Sequence, residues 1–169
     1  MEYTYHYDSP LGGITLAANE AALTGLWFDG QKYFACGLDK EYQEKELPVF
    51  REAKRWLTVY FEGREPDFKL PLCFKGTEFQ KEVWEILSSI PYGQTMTYGE
   101  IARLLASKRG LPHMSAQAIG GAVGHNRISI IVPCHRVVGA DGSLTGYAGG
   151  IDRKAKLLAL EKAMPHINT

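Results

Sequence analysis

The residues best able to do chemistry sit together in the second half of the chain: Pro133-Cys134-His135-Arg136, followed by Val137-Val138. The thiolate is the attacking form of cysteine, and a free cysteine with a pKa near ~8.5 is mostly protonated at neutral pH. A neighbouring base makes the thiolate accessible, and His135 is the adjacent candidate. The apolar run Ser129-Ile130-Ile131-Val132 reads as a short buried strand that delivers Cys134 at its end. From these residues alone two readings stand. Cys134 is a positioned nucleophile, or it is a small buried hydrophobe, the commoner fate of a lone cysteine.

The elements that must hold this segment are legible in the pattern around it. Thr77 and Gln80 form a capping box, and Phe79, Val83, Ile86, Leu87 and Ile90 continue from it as one apolar helical stripe. Pro91-Tyr92-Gly93 stops that helix. Thr97 and Glu100 form a second capping box leading into Ile101, Leu104 and Leu105. A third helix is expected over Ser115–Val123, built almost wholly of small residues (Ala116, Ala118, Gly120, Gly121, Ala122). Two short helices followed by one with a small-residue face suggest a helix-turn-helix. Adjacent glycines weaken a helix by roughly 1 kcal/mol each relative to alanine. Close approach of another backbone offsets that cost, whether a sugar-phosphate chain or a packed helix.

Upstream, residues 3–7, 14–18 and 23–28 alternate as strands around turns at Ser9–Gly13 and Asn19-Glu20. Phe50, Ala53, Leu57 and Tyr60 sit at helical spacing, predicting a helix over Pro48–Phe61. Glu62–Pro71 reads as a linker. The organisation expected is an α+β N-terminal domain, residues 1–75, with a small antiparallel sheet and a helix. A mostly α C-terminal domain, residues 76–169, would carry the helix-turn-helix.

Composition narrows the class. The chain has 169 residues, 45% hydrophobic and 22% charged, as in an ordinary globular protein. No apolar run has membrane-spanning length and no signal-peptide pattern opens the chain, so a cytoplasmic protein without membrane association is expected. Three cysteines, Cys36, Cys73 and Cys134, argue against a disulfide framework. No Cys-x-x-Cys pair suggests a metal site. Net charge is zero, but residues 1–75 carry 9 Lys/Arg against 12 Asp/Glu, whereas residues 76–169 carry 10 against 7. The asymmetry is mild, and two readings stand: chance scatter, or an anionic partner on the C-terminal half.

Pro133-Cys134-His135-Arg136-Val137-Val138-Gly139 resembles the active-site signature of O6-alkylguanine-DNA alkyltransferases, the methylated-DNA–protein-cysteine methyltransferases. The resemblance extends over residues 76–163. It includes Phe79–Trp84, Ile90–Tyr98, Ala118–Val123 with Asn126, Gly142–Gly150 and Lys156–Glu161. It implies an RNase H-like N-terminal domain, a winged-helix-like C-terminal domain, and a monomer that needs no cofactor and no metal. Its partner would be double-stranded DNA containing O6-alkylguanine. The implied reaction is DNA repair by irreversible, stoichiometric transfer of the alkyl group to Cys134 after base flipping, with O4-alkylthymine as a second substrate. The protein is consumed, because a thioether has no easy leaving group.

The resemblance also assigns residues. Cys134 would be the acceptor, His135 would take its proton through a water, and Glu161 would orient His135. Asn126 would hold the catalytic turn in register, and Tyr98 would donate a proton so that guanine leaves neutral. Val137, Val138, Tyr147, Ala148 and Gly149 would line the base pocket. Gln117, Ala118, Gly120, Gly121, Ala122, Thr97 and Ser115 would face DNA, in the minor groove, with Arg127, Arg136 and Lys108 as phosphate contacts. The chain departs from the family pattern at Gln117, where arginine is usual, and at Arg127, where proline is common. It also lacks the N-terminal zinc ligands of some members.

Three rivals remain. A damage-binding relative without the nucleophile is opposed by Cys134. A Cys-His hydrolase needs the thiol regenerated, and adjacent side chains in an extended segment point apart. A plain DNA-binding regulator leaves Glu161, Tyr98 and Asn126 without a common purpose. Gln117 fills a vacated base position without adding charge, so Gln117→Arg is expected to tighten duplex binding and steepen its salt dependence by about one unit of slope. Salt titrations of both proteins on one duplex check this, and identical curves would refute it.

Overall fold

The computed structural model describes residues 1–163. Its chain divides into two compact units, Met1–Lys75 with Arg127–Ser129, and Gly76–Asn126 with the residues from Ile130 onward.

The first unit is built on a four-stranded sheet in the order β3-β2-β1-β4. β1 (Glu2–Ser9), β2 (Gly12–Ala18) and β3 (Leu23–Phe28) form an antiparallel meander. The short β4 (Tyr42–Glu44) pairs with β1 in parallel, so the sheet is mixed and not purely antiparallel as expected. Tyr42-Gln43-Glu44 is a run of only three residues, all exposed, too short to show alternation, which is why the pattern does not show β4. α1 (Pro48–Phe61) has the predicted bounds and buries Val49, Phe50, Ala53, Leu57 and Tyr60. Phe50 stacks on Tyr5 of β1 with ring centroids 5.7 Å apart. The sheet edge takes up a later piece of chain. Leu26 N–H donates to Arg127 O at 2.7 Å, and Ser129 N–H donates to Leu26 O at 3.0 Å.

The second unit is mostly helical: α2 (Glu78–Ser88), α3 (Tyr98–Arg109), α4 (Ala116–Gly124) and α5 (Ile151–Leu160). Both predicted capping boxes form, Thr77 with Gln80 and Thr97 with Glu100. Ser115 caps α4 through its hydroxyl. α3 ends at Gly110 with φ 70°, a left-handed conformation that glycine adopts without penalty. The two-residue strands β5 (Met96–Thr97) and β6 (Val137–Val138) pair in parallel.

One expectation fails: Ser129–Val132 is a turn, not a strand. Ile128 makes a single bridge to Leu26, and Ile130 then adopts φ 69°, which ends any extended path. A short buried apolar run does not by periodicity distinguish a strand from a buried turn. Cys134 therefore starts a 3₁₀ turn, Cys134–Arg136, rather than ending a strand.

Trp84 of α2 donates its indole N–H to Ala122 O at 2.9 Å. That carbonyl lies in the last turn of α4, where no intrahelical partner exists. Trp84→Phe should cost about 1–2 kcal/mol by leaving the buried carbonyl unpaired. Urea unfolding of the two proteins measures it, and unchanged midpoints would remove the bond from the account.

Candidate active site

Cys134 is 5% exposed. Its position is set by a tight turn over Pro133, whose φ of −82° and ψ of 64° bring Cys134 N–H to within 2.8 Å of Val132 O. Asn126 braces the turn. Its amide Nδ2 donates to Val132 O at 2.8 Å and to Cys134 Sγ at 3.1 Å. One side chain thus fixes the loop and stabilises negative charge on sulfur. Burial nonetheless pushes the thiol pKa up, with the Asn126 bond and the charge of Lys154 opposing it.

His135 is fully buried, and its Nε2 lies 2.6 Å from Glu161 Oε2. Burial lowers its pKa, so the ring is neutral at neutral pH. For Glu161, burial alone would raise the pKa, but hydrogen bonds and charge attraction from His135 and Arg136 outweigh it and hold it at about 2. An ionised carboxylate only accepts, so Nε2 carries the proton and Nδ1 is the basic nitrogen. Glu161 Oε1 also accepts from Arg136 Nε at 2.8 Å and from Gly93 N–H at 3.2 Å. Gly93 has φ 79°, and a Cβ there would stand 3.4 Å from Glu161 O, so the approach suits glycine.

The other expected site residues fall into two groups. Val137, Val138 and Gly149 are buried, with Tyr147 and Ala148 half-buried. Tyr98 opens α3, and its hydroxyl accepts from Thr145 Oγ1 at 3.4 Å. On α4, Gln117, Ala118 and Gly121 are exposed and Gly120 is half-buried. A Cβ added at Gly120 or Gly121 would meet nothing within 4 Å, so packing inside this chain does not account for these glycines. Ser115 is exposed and Thr97 half-buried, each capping its helix. Lys108 is exposed.

Three assignments are corrected. Ala122 faces inward at 4% exposure, with its carbonyl bound by Trp84. Arg136 is buried: besides Glu161 it donates to Ile90 O at 2.7 Å and lies 5.7 Å from the Tyr92 ring centroid. Arg127 is buried within the first unit, donating to Cys36 O at 2.6 Å over the Trp27 ring. Neither guanidinium is placed to meet a phosphate.

Lys154 escapes a reading by motif. It is fully buried and donates to Thr145 O at 2.7 Å and Gly146 O at 3.3 Å, pinning the start of the 145–149 loop. A usable signal was its register: Lys154, Leu157, Leu158 and Glu161 fall at i, i+3, i+4 and i+7, a single helix face. Among the described residues no group of three or more His, Cys, Asp or Glu is arranged to hold a metal. No helix there is long and apolar enough to cross a membrane.

Comparison with known proteins places this geometry. The family model of the 6-O-methylguanine DNA methyltransferase ribonuclease-like domain matches residues 1–74, and that of the DNA binding domain matches residues 78–163. A relative from Mycolicibacterium paratuberculosis, a methylated-DNA--protein-cysteine methyltransferase, is 46% identical over 92% of this chain and 89% of its own length. Another of the same name, from Methanosarcina acetivorans, is 46% identical over 92% and 95%. Mycobacterium tuberculosis OGT, solved in complex with DNA, has a TM-score of 0.80 at 44% identity, over 96% of this chain and 93% of that one. Fold and site define a two-part protein, ribonuclease-like and DNA-binding, with a cysteine centre in the second part. The chain belongs to the 6-O-methylguanine DNA methyltransferase family.

Glu161→Gln should destabilise the protein by about 3–5 kcal/mol, since it strands the buried Arg136 charge. It should also change the acid limb. The folded value of about 2 lies below the ordinary 4.5. The stability that Glu161 contributes is thus complete above about pH 4.5 and is lost as pH falls towards about 2. Unfolding midpoints measured from neutral pH to pH 3 should fall less steeply in the variant, and parallel declines would contradict the assignment.

Proposed function

We propose that this protein repairs DNA by moving an alkyl group from O6 of guanine onto Cys134, acting as a methylated-DNA--protein-cysteine methyltransferase. The observation that carries the reading is the arrangement around one sulfur: Asn126 on Sγ, and next along the chain a neutral histidine locked in one tautomer by Glu161. The thiol proton passes through a water to His135 Nδ1. The Cys134 thiolate then attacks the alkyl carbon in line, forming an S–C bond as the C–O6 bond breaks. The electron pair goes to O6, and Tyr98 supplies a proton to the purine so that guanine leaves neutral.

Sulfur this deeply buried does not reach a base inside a duplex, so the nucleotide must rotate out of the stack, at a cost of a few kcal/mol that is least for damaged pairs. The exposed α4 surface at Gln117, Ala118 and Gly121, bordered by half-buried Gly120 and unfilled by this chain, suits close approach to a minor groove. Gln117 fills the vacated position. Val137, Val138, Tyr147, Ala148 and Gly149 enclose the base, with O4-alkylthymine as a second substrate. All these groups come from one chain, consistent with action as a monomer.

The product is S-alkylcysteine, and each molecule reacts once. Intact-protein mass after incubation with a duplex carrying one O6-methylguanine should show a gain of one methyl group, saturating at one per protein and absent in Cys134→Ala. A lesion bound but unchanged would reduce the chain to a damage-recognition module, and continued turnover would point to a hydrolase.

A further inference from the structure

Lys154 stands out because every feature of its setting opposes a cation. The side chain is fully buried. It lies in the fourth position of α5, at the helix end where the backbone dipole disfavours positive charge. Among the described residues no carboxylate pairs with it. Two of its three N–H donors are met by the neutral carbonyls of Thr145 and Gly146. Buried charges in folded proteins are otherwise paired. α5 packs against the 3₁₀ turn that starts at Cys134, and the Lys154 ammonium and the Cys134 thiolate attract one another.

We propose that Lys154 is the counter-ion of the Cys134 thiolate, holding the charge on sulfur while His135 takes the proton, and that alkylation strands it. This inference rests on Cys134 being the acceptor. It separates two roles inside the site: His135 with Glu161 moves the proton, whereas Lys154 stabilises the anion left behind. The charged or titratable groups around the thiol are Lys154 and His135, with Glu161 and Arg136 behind the imidazole. Glu161 and Arg136 offset one another, so Lys154 supplies the uncompensated positive charge. Its carbonyl bonds place the same ammonium on the 145–149 loop, so one side chain ties the pocket wall to the state of the sulfur. After transfer the sulfur is a neutral thioether, and the buried ammonium has only the two carbonyls. Burial already brings Lys154 down to about 8, with the thiolate as the opposing influence. Loss of that partner lowers it further.

The test needs no DNA. Iodoacetamide alkylation of the full-length protein is followed at Cys134 by peptide mass across pH. Lys154→Met should react about tenfold more slowly than the unmutated protein at neutral pH, with the same limiting rate at high pH, a displacement of about one unit. Lys154→Arg, which keeps the charge, should recover most of that loss. Superimposable profiles for Lys154→Met would overturn the proposal, even if transfer from DNA fell, because Lys154 would then be a loop clamp alone. A measurement on the unmutated protein covers the case in which the variants do not fold. The ¹⁵N signal of Lys154 Nζ should titrate at lower pH once Cys134 is carbamidomethylated, and an unmoved titration would equally overturn the proposal. Failure of the parent reading looks different: no methyl gain from O6-methylguanine DNA, with these profiles still readable.

Discussion

The second unit depends on one carboxylate. Glu161 caps α5 and is met by three donors from two separate stretches of chain: His135 and Arg136 on the 3₁₀ turn, and Gly93 after α2. Burying a lone carboxylate is prohibitive, and burying a pair is tolerable only when the geometry satisfies both charges. Here Arg136 neutralises Glu161 and is itself satisfied by Ile90 O and the Tyr92 ring. The cluster is therefore electrically closed before His135 joins it. That closure lets His135 stay neutral in a dry site, where an imidazolium would otherwise be drawn out by the carboxylate. A base must be unprotonated to act, so charge balance behind the ring is a condition for reactivity in front of it.

The nucleophile faces the opposite difficulty. Desolvation favours the neutral thiol, which resists oxidation but does not attack. The structure leaves that penalty in place and reduces it with the Asn126 amide and the Lys154 charge, both fixed before any substrate arrives. Preorganised donors of this kind need not reorganise during reaction. α5 carries Lys154, and Glu161 caps it seven residues on, two turns along a single face. One rigid element thus carries both the cation that acts on the sulfur and the carboxylate that orients the base.

Much of this was legible because local rules dominate where side chains bond to their own neighbourhood. The capping boxes at Thr77 and Thr97 and the apolar face of α1 follow from spacing alone, and the structure has them at those positions. The sulfur and imidazole stood out by their chemistry and the carboxylate through the family resemblance, and the structure joins the imidazole to the carboxylate. What escaped depends on partners far along the chain. Nothing around Arg136 in sequence tells that its guanidinium ends on Ile90 O and Glu161 rather than in solvent, because those partners lie 46 and 25 residues away along the chain. Arg127 is similar: its partners, Cys36 O and the Trp27 ring, lie about a hundred residues earlier. Lys154 was missed for another reason. A lysine is by default a surface residue, and only its register with Leu157, Leu158 and Glu161 contradicts that default.

The α4 glycines show how a local rule, when broken, locates function. Adjacent glycines cost the helix roughly 1 kcal/mol each relative to alanine, and the sequence left open whether another part of the chain required them. The empty space over Gly120 and Gly121 answers that question. Alanine would fit there without meeting any protein atom, so the fold does not demand glycine. Ala122, one residue further on, turns inward and belongs to the core with Ile119 and Val123. The exposed stripe is therefore narrower than the run of small residues suggested. It consists of Ala116, Gln117, Ala118 and Gly121, bordered by Gly120. A cost in helix stability that nothing inside the molecule offsets must be offset by something outside it. A flat stripe with no side chain beyond a methyl group except Gln117 offers an incoming partner backbone contact nearly everywhere and one polar probe. That arrangement suits shape recognition of a groove better than reading of base edges, which needs several long donors and acceptors.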